Sequence, residues 1–438
     1  MDPLLLGLLA AVVLVLLLLS GMPVAFALGF TAIAFLFIED GVGAFEVAAE
    51  TLFGALDEFA LLSIPMFLLM GSAIAASRAG TDLYEALDRW LYRVPGGLLI
   101  SNIGACGVFA ALTGSSPATC AAIGKMGIPE MRQRGYPASL ATGAIAAGGT
   151  LGILIPPSIT MIVYGIATET SIGRLFMAGL IPGIMLMLLF MAWSWFYAYT
   201  QGYNFVEADK HFTLREKLVI LPKILPFLAL IVMVLWALYG GVATPSEASG
   251  VGAMVCILLV MVIYRVWQPG KLWEIVRSAT RESVMLMMII GMAGLFSYMM
   301  SNLYITQGIA EWIAQLDVNK WVLLFYINVF LLVAGFFLPP VAVILMTAPT
   351  IVPIIIQSGF DPIWFGVILT LNMEIGLITP PVGLNLYVIN GIVKDVDLKT
   401  VLWGALPFML CLVLGIVLIT LFPQIATWLP DYLMGPVR

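Results

Sequence analysis

Charge is the scarcest property of this 438-residue chain. Only 10% of its residues are Asp, Glu, Lys or Arg, and 62% are hydrophobic. A water-soluble domain carries roughly 25% charged residues, so water cannot be the solvent for most of this surface. The mean hydropathy of +1.08 agrees, and a lipid bilayer is the solvent that fits. Histidine occurs once, as His211 in a polar stretch, which argues strongly against a histidine-built metal site. The four cysteines, Cys106, Cys120, Cys256 and Cys411, lie in apolar segments without a C-x-x-C pair and read as small core residues. The formal charge of −6 argues against nucleic acid as a partner. No G-x-x-x-x-G-K-[ST] is present, so the chain hydrolyses no nucleotide itself. H-E-x-x-H and G-x-S-x-G are also missing, and no nucleophile–base cluster supports an intramembrane enzyme.

What the chain has is apolar length. Spans of the required 17–25 residues are read at about 3–20, 22–39, 58–77, 138–168, 175–199, 224–240, 246–264, 283–303, 362–392 and 402–423. The first follows Met-Asp-Pro, with neither a basic n-region nor a small-residue cleavage site, and is expected to be a retained span rather than a signal. Most of the eleven Trp and fourteen Tyr fall near span ends, as interface anchors do.

Two further apolar regions, 96–134 and 319–357, each break at the middle, at Thr113-Gly114-Ser115-Ser116-Pro117 and at Leu338-Pro339-Pro340. These are expected to be helical hairpins that enter and leave the membrane on one side. Two spans are broken as well, at Gly152-Ile153-Leu154-Ile155-Pro156-Pro157-Ser158 and at Gly376-Leu377-Ile378-Thr379-Pro380-Pro381-Val382. A Pro-Pro pair removes amide donors and clashes with the preceding turn, so an α-helix ends there.

The breakers repeat. A displacement of about 224 residues carries Gly152, Pro156 and Pro157 onto Gly376, Pro380 and Pro381, and Pro129 and Gly135 onto Pro353 and Gly359. The expected architecture is therefore all-α and polytopic, with two repeats over 1–224 and 225–438, each holding scaffold spans, a hairpin and a broken helix (138–168 and 362–392). A hairpin leaves an odd number of crossings per half, so the second half is inverted relative to the first. The positive charges agree with this arrangement. One side receives Arg78, Arg89, Arg93, Arg132, Arg134, Lys210, Arg215, Lys217, Lys223, Arg265, Lys271, Arg277, Arg281, Lys394 and Lys399. The other receives only Arg174, Lys320 and Arg438. The positive-inside rule then puts both termini outside and 200–223 in the cytoplasm. The amphipathic segments 41–57 and 265–281 are expected to be interfacial arm helices lying along the membrane surface.

Irregular backbone at membrane depth is tolerated where it is buried or lines a polar cavity. Carbonyls freed at helix C-termini are hard ligands suited to Na⁺. One expected sodium site takes Thr113, Ser115 and Ser116 with the linker residues Gly152, Ile155 and Pro157. A second takes Leu338, Pro340, Gly376, Thr379 and Val382, with Thr379 supplying the hydroxyl that its hairpin tip lacks. The alternative is that these small residues serve only tight helix packing. Candidate substrate contacts are Ser116, Ser158, Asn372, Glu374 and Asn385. For Glu374 a carboxyl held by local backbone or water is an equal reading, and for the two asparagines a purely structural hydrogen bond. Lys125 and Glu130 are expected to snorkel toward the cytoplasmic interface. No arginine stands out as a midplane clamp for a carboxylate.

The blocks Gly114-Ser115-Ser116-Pro117-Ala118-Thr119, Ile128-Pro129-Glu130-Met131, Gly149–Ser158 and Gly376–Gly383 resemble the large membrane subunit of TRAP (tripartite ATP-independent periplasmic) transporters. The resemblance spans essentially the whole chain. It departs at Pro117, where the family more often has an aliphatic residue, and at Cys120. It implies Na⁺-coupled uptake of a small organic acid, such as a dicarboxylate or sialic acid, across a bacterial inner membrane, with no cofactor beyond Na⁺. It also implies an elevator mechanism, a separate four-span membrane partner and a periplasmic binding protein that delivers substrate. A stand-alone carrier or antiporter of related hairpin fold is the alternative; co-purification with a four-span protein separates the two.

Overall fold

The computed structural model describes residues 2–91, 94–201, 212–315 and 318–435. Arg93, Lys210, His211 and Arg438 lie outside the described residues. Among the described residues all regular structure is helical, and seven helices are long and apolar enough to cross a membrane, or eight with one bent pair.

The chain runs through α1 (Pro3–Leu19), α2 (Val24–Asp40), α3 (Gly43–Leu56), α4 (Ser63–Ala75), α5 (Ala79–Leu91), α6 (Gly97–Thr113), α7 (Ser116–Gln133), α8 (Ala138–Thr150), α9 (Ile159–Ala167) and α10 (Ile172–Thr200). The short α11 (Leu214–Val219) leads into α12 (Leu221–Tyr239), α13 (Pro245–Tyr264), α14 (Pro269–Asn302), α15 (Ile305–Gln315), α16 (Lys320–Phe337), α17 (Pro340–Gln357), α18 (Pro362–Leu377), α19 (Leu384–Ile392), α20 (Leu398–Leu421) and α21 (Gln424–Met434). Bounds of later helices fall close to those of earlier ones at a displacement of about 224 residues. Ser116–Gln133 of α7 answers Pro340–Gln357 of α17, and Gly97–Thr113 of α6 answers Lys320–Phe337 of α16. The Pro156-Pro157 and Pro380-Pro381 peptides are both cis.

The helix starts have local causes. The Asp361 carboxylate caps α18 by accepting from the amides of Ile363 and Trp364 at 2.6 and 3.0 Å, with Pro362 in the first turn where no amide is needed. A capping box between Thr244 and Glu247 opens α13. Proline at the second position opens α7, and at the first position α17.

Two groups of helices of unequal character make up the core. Helices α6, α8 and α18 are buried nearly all round. They pack with α7, α10, α16 and α20. Helices α2, α3, α4 and α13 gather instead around α14, or, for α13, around α4. The hairpins cross over: α17 packs on α9, and α19 on α7.

The arm expected over 265–281 and the span expected over 283–303 are joined. Residues 269–302 form one continuous helix of 34 residues, arm and span together. Its only proline is Pro269 in the first turn, and charges alone do not end a helix. The first half differs. Arm α3 stops at Leu56, and the path bends by 60° before α4. Pro65, near the start of α4, has no amide to continue a helix from upstream, which puts the break before it. Helices α5, α15 and α21 were not expected as elements; they are short and mix charged or polar residues with apolar ones.

Candidate substrate and cation site

Hairpin α6–α7 turns at Gly114, whose φ of +60° is left-handed. A Cβ there would lie 2.6 Å from the Pro157 carbonyl oxygen, so only glycine lets the tip approach the broken-helix linker this closely. Gly152 serves the same contact from the other side: its Cβ would lie 2.8 Å from the Ser115 carbonyl. Tip and linker are thus backbone-to-backbone neighbours. Thr113, Ser115, Ser116, Gly152 and Pro157 come together, while Ile155 packs beneath Gly183 of α10.

The hydroxyls at the tip bond to one another. Thr113 Oγ1 lies 3.0 Å from Thr119 Oγ1, and Thr119 donates to the Ser115 carbonyl at 2.9 Å. Thr119 was not singled out in the sequence; its position one turn into α7 is the signal. Ser116 and Asn385 bond across the two halves, with Asn385 Nδ2 donating to Ser116 Oγ at 2.8 Å and to the Ala146 carbonyl at 2.9 Å. Both are fully buried, so losing one partner would leave the other unsatisfied at a cost of about 1–3 kcal/mol.

The second tip is built with less hydroxyl. Gly376 faces Gly335 of α16, where a Cβ would meet the Gly335 carbonyl oxygen at 2.5 Å. The Val382 amide donates to the Phe336 carbonyl at 3.0 Å, tying linker to hairpin. Thr379 Oγ1 donates to the Ile375 carbonyl at 2.7 Å. Leu338 ends α16 and Pro340 begins α17.

Between the tips lies a cavity of about 630 Å³. Four helices begin at it, marked by Ser116 of α7, Ile159 of α9, Pro340 of α17 and Leu384 of α19. At α7, α17 and α19 no side chain caps the first-turn amides. Helix N-termini carry partial positive charge and bind anions. Helix C-termini reach the same cavity at Gly114 after α6 and Leu377 of α18, with carbonyls that favour cations.

Of the candidate substrate residues, Ser116 lines this cavity. Ser158 does not; its hydroxyl donates to the Ile153 carbonyl and accepts from the Met161 amide, capping α9. Asn372 points to α16, donating to Asn328 Oδ1 at 2.6 Å. Glu374 is fully buried, and neither carboxylate oxygen has a hydrogen-bond partner among the described residues. Glu130 pairs with Arg134 at 2.7 Å, and Lys125 lines a neighbouring cavity of about 900 Å³. Arg281, assigned in the sequence to the cytoplasmic interface, lines both cavities.

A membrane-embedded helical core, broken at two linkers that meet two hairpin tips around one cavity, defines a multi-pass membrane transporter. The family description "Tripartite ATP-independent periplasmic transporter, DctM component" matches residues 11–425. The chain belongs to this family, as the large permease subunit of a TRAP transporter. It is 39% identical to the C4-dicarboxylate TRAP transporter large permease protein DctM of Pseudomonas aeruginosa, over 88% of this chain and 89% of that one. It is 31% identical to the sialic acid TRAP transporter large permease protein SiaM of Vibrio cholerae, over 96% and 97% of the two chains. Its fold resembles the crystal structure of the YdaH transporter of Alcanivorax borkumensis, with a TM-score of 0.61 and 17% identity over 90% of this chain and 91% of the other.

Proposed function

We propose that this permease carries a small organic acid into the cell by Na⁺-coupled, elevator-type transport. The observation that carries the reading is the set of helix ends at the 630 Å³ cavity. N-termini suit the carboxylate of an acid, while neighbouring C-terminal carbonyls and tip hydroxyls suit Na⁺. The names of the relatives, a C4-dicarboxylate and a sialic acid permease, support the same substrate class.

In this reading one Na⁺ is held by Thr113, Ser115, Ser116 and the Gly152–Pro157 linker, and a second by the Leu338–Pro340 tip and the Gly376–Val382 linker. The halves 1–224 and 225–438 are inverted repeats. Hairpins and broken helices move together against a scaffold of the remaining spans with arms α3 and α14. A small four-span membrane subunit and a periplasmic binding protein complete the system, in a bacterial inner membrane with both termini periplasmic.

The test is uptake into proteoliposomes that hold the permease with its small subunit. Labelled acid should enter only with an inward Na⁺ gradient and the loaded binding protein outside. Uptake that persists unchanged without Na⁺ would remove the coupling.

A further inference from the structure

We infer that Arg281 of α14 binds a carboxylate of the transported acid at the way out of the hairpin-tip cavity, and that Glu282 beside it weakens that binding. The inference rests on the organic-acid reading above.

Helix α14 forms one wall of both cavities. Glu274 and Ser278 face the 900 Å³ cavity, Met288 and Ile289 face the 630 Å³ cavity, and Arg281, Glu282 and Met285 face both. Ser115 and Pro117 of the hairpin tip also belong to both linings. Arg281 therefore stands at the junction, in the same two linings as Ser115 of the tip. Its side chain makes no hydrogen bond or ion pair among the described residues, and neither does that of Glu282.

A guanidinium is charged at every working pH and presents a planar fork that matches a carboxylate. An acid leaving the N-terminus of α7 meets this fork next. Lys125 follows, nine residues along α7, or roughly 13 Å at 1.5 Å per residue, in the second cavity. Glu282 places a like charge beside the same path. Because the whole span 269–302 is one rigid helix, the pair is held on the scaffold and not on the hairpin. The acid would then exchange partners, from tip amides to Arg281, as the tip moves.

The purified complex of large and small subunits, in Na⁺ buffer, is titrated with succinate and with N-acetylneuraminate while thermal unfolding is followed. For whichever acid stabilises the wild type, Arg281→Gln should raise the half-saturating concentration about tenfold, the loss of one charge-assisted contact. Arg281→Lys should raise it less. Glu282→Gln should lower it severalfold, a change opposite in sign to any general damage to the fold. The Na⁺ dependence of stability should stay as in the wild type. Stabilisation of the wild type by neither acid would count against the organic-acid reading itself. An unchanged half-saturation in Arg281→Gln, with a wild type that binds, would overturn the role of Arg281 alone. The titration is repeated in nanodiscs of phosphatidylcholine only. If the difference disappears there, Arg281 acts on an anionic lipid headgroup and the inference is overturned; if it persists, the acid is the ligand.

Discussion

Helices α6 and α16 are 17 and 18 residues long and lie about 224 residues apart in the chain, each running into a hairpin tip. Their surroundings are unlike. Every residue of α6 except Val108 is buried, enclosed by α4, α5, α8 and α10. On α16 only Leu324, Ile327, Leu331 and Gly335 are buried, and Phe325, Tyr326 and Phe330 are exposed. The tips differ in the same direction. The first holds a hydroxyl cluster that reaches Asn385 of the other half, while the second is proline, with its one hydroxyl displaced to Thr379. Equal backbone with unequal side chains separates two jobs. The close approach of tip and linker is common to both halves; the chemistry placed there is not.

The largest effects should come from the shared backbone contact. Gly152→Ala and Gly376→Ala each drive a Cβ into backbone atoms, which cannot swing aside as a side chain can. Overpacking of this kind costs about 1–3 kcal/mol, and each variant should lose at least about tenfold in transport at normal expression. Na⁺-driven uptake in proteoliposomes, normalised to protein, checks this. A silent Gly152→Ala beside a damaging Gly376→Ala would break the equivalence of the tips.

A smaller and unequal effect is expected at the hydroxyls. Ser115→Ala and Thr379→Ala should both raise the Na⁺ concentration for half-maximal uptake, by roughly three- to tenfold, the worth of a hydrogen-bond-sized interaction of about 1 kcal/mol. Comparing the two ranks the sites. Wild-type Na⁺ dependence in both variants would show that neither hydroxyl is a ligand.

The smallest effect should lie at the rim. Arg132 of α7 meets Asp395, in the loop between α19 and α20, through two hydrogen bonds of 3.1 and 2.7 Å, and the pair is exposed. The hydrogen bond and charge of Arg132 hold the Asp395 carboxyl below the usual carboxylate range. A carboxyl whose folded pKa is lowered stabilises the fold above its unfolded pKa, and that contribution disappears as pH falls through the folded value. Asp395→Asn should therefore lower the thermal midpoint slightly at neutral pH, and match the wild type once the carboxylate is protonated. A constant difference between neutral and acid pH would show that the pair is not the cause.

Much of the backbone was legible because its breakers are covalent properties of single residues. No α-helix runs through Pro156-Pro157, Pro380-Pro381 or Pro339-Pro340: α8 ends at Thr150, α18 at Leu377, and α16 at Phe337. The join of arm and span was not legible for the opposite reason: 265–281 and 283–303 differ in polarity, but no residue between them interrupts the backbone, and one helix runs through both. Short α5 and α15 escaped because their mixed polarity over so few residues resembles loop as much as helix. At the site, Ser116 could be named from its tip, but its partner Asn385, 269 residues away, could not be paired with it.

The sequence alone determined the solvent of the fold and the residues at which its helices break. These follow from composition and from residues that forbid a helix locally. Only the tertiary structure decided what each break faces. Ser158, Asn372 and Glu374 are drawn away from the cavity, and Arg281 is brought to it, because α14 packs on α2, α4 and α17 and so forms one of its walls. Such juxtapositions depend on packing between elements far apart in the chain, and no local preference encodes them.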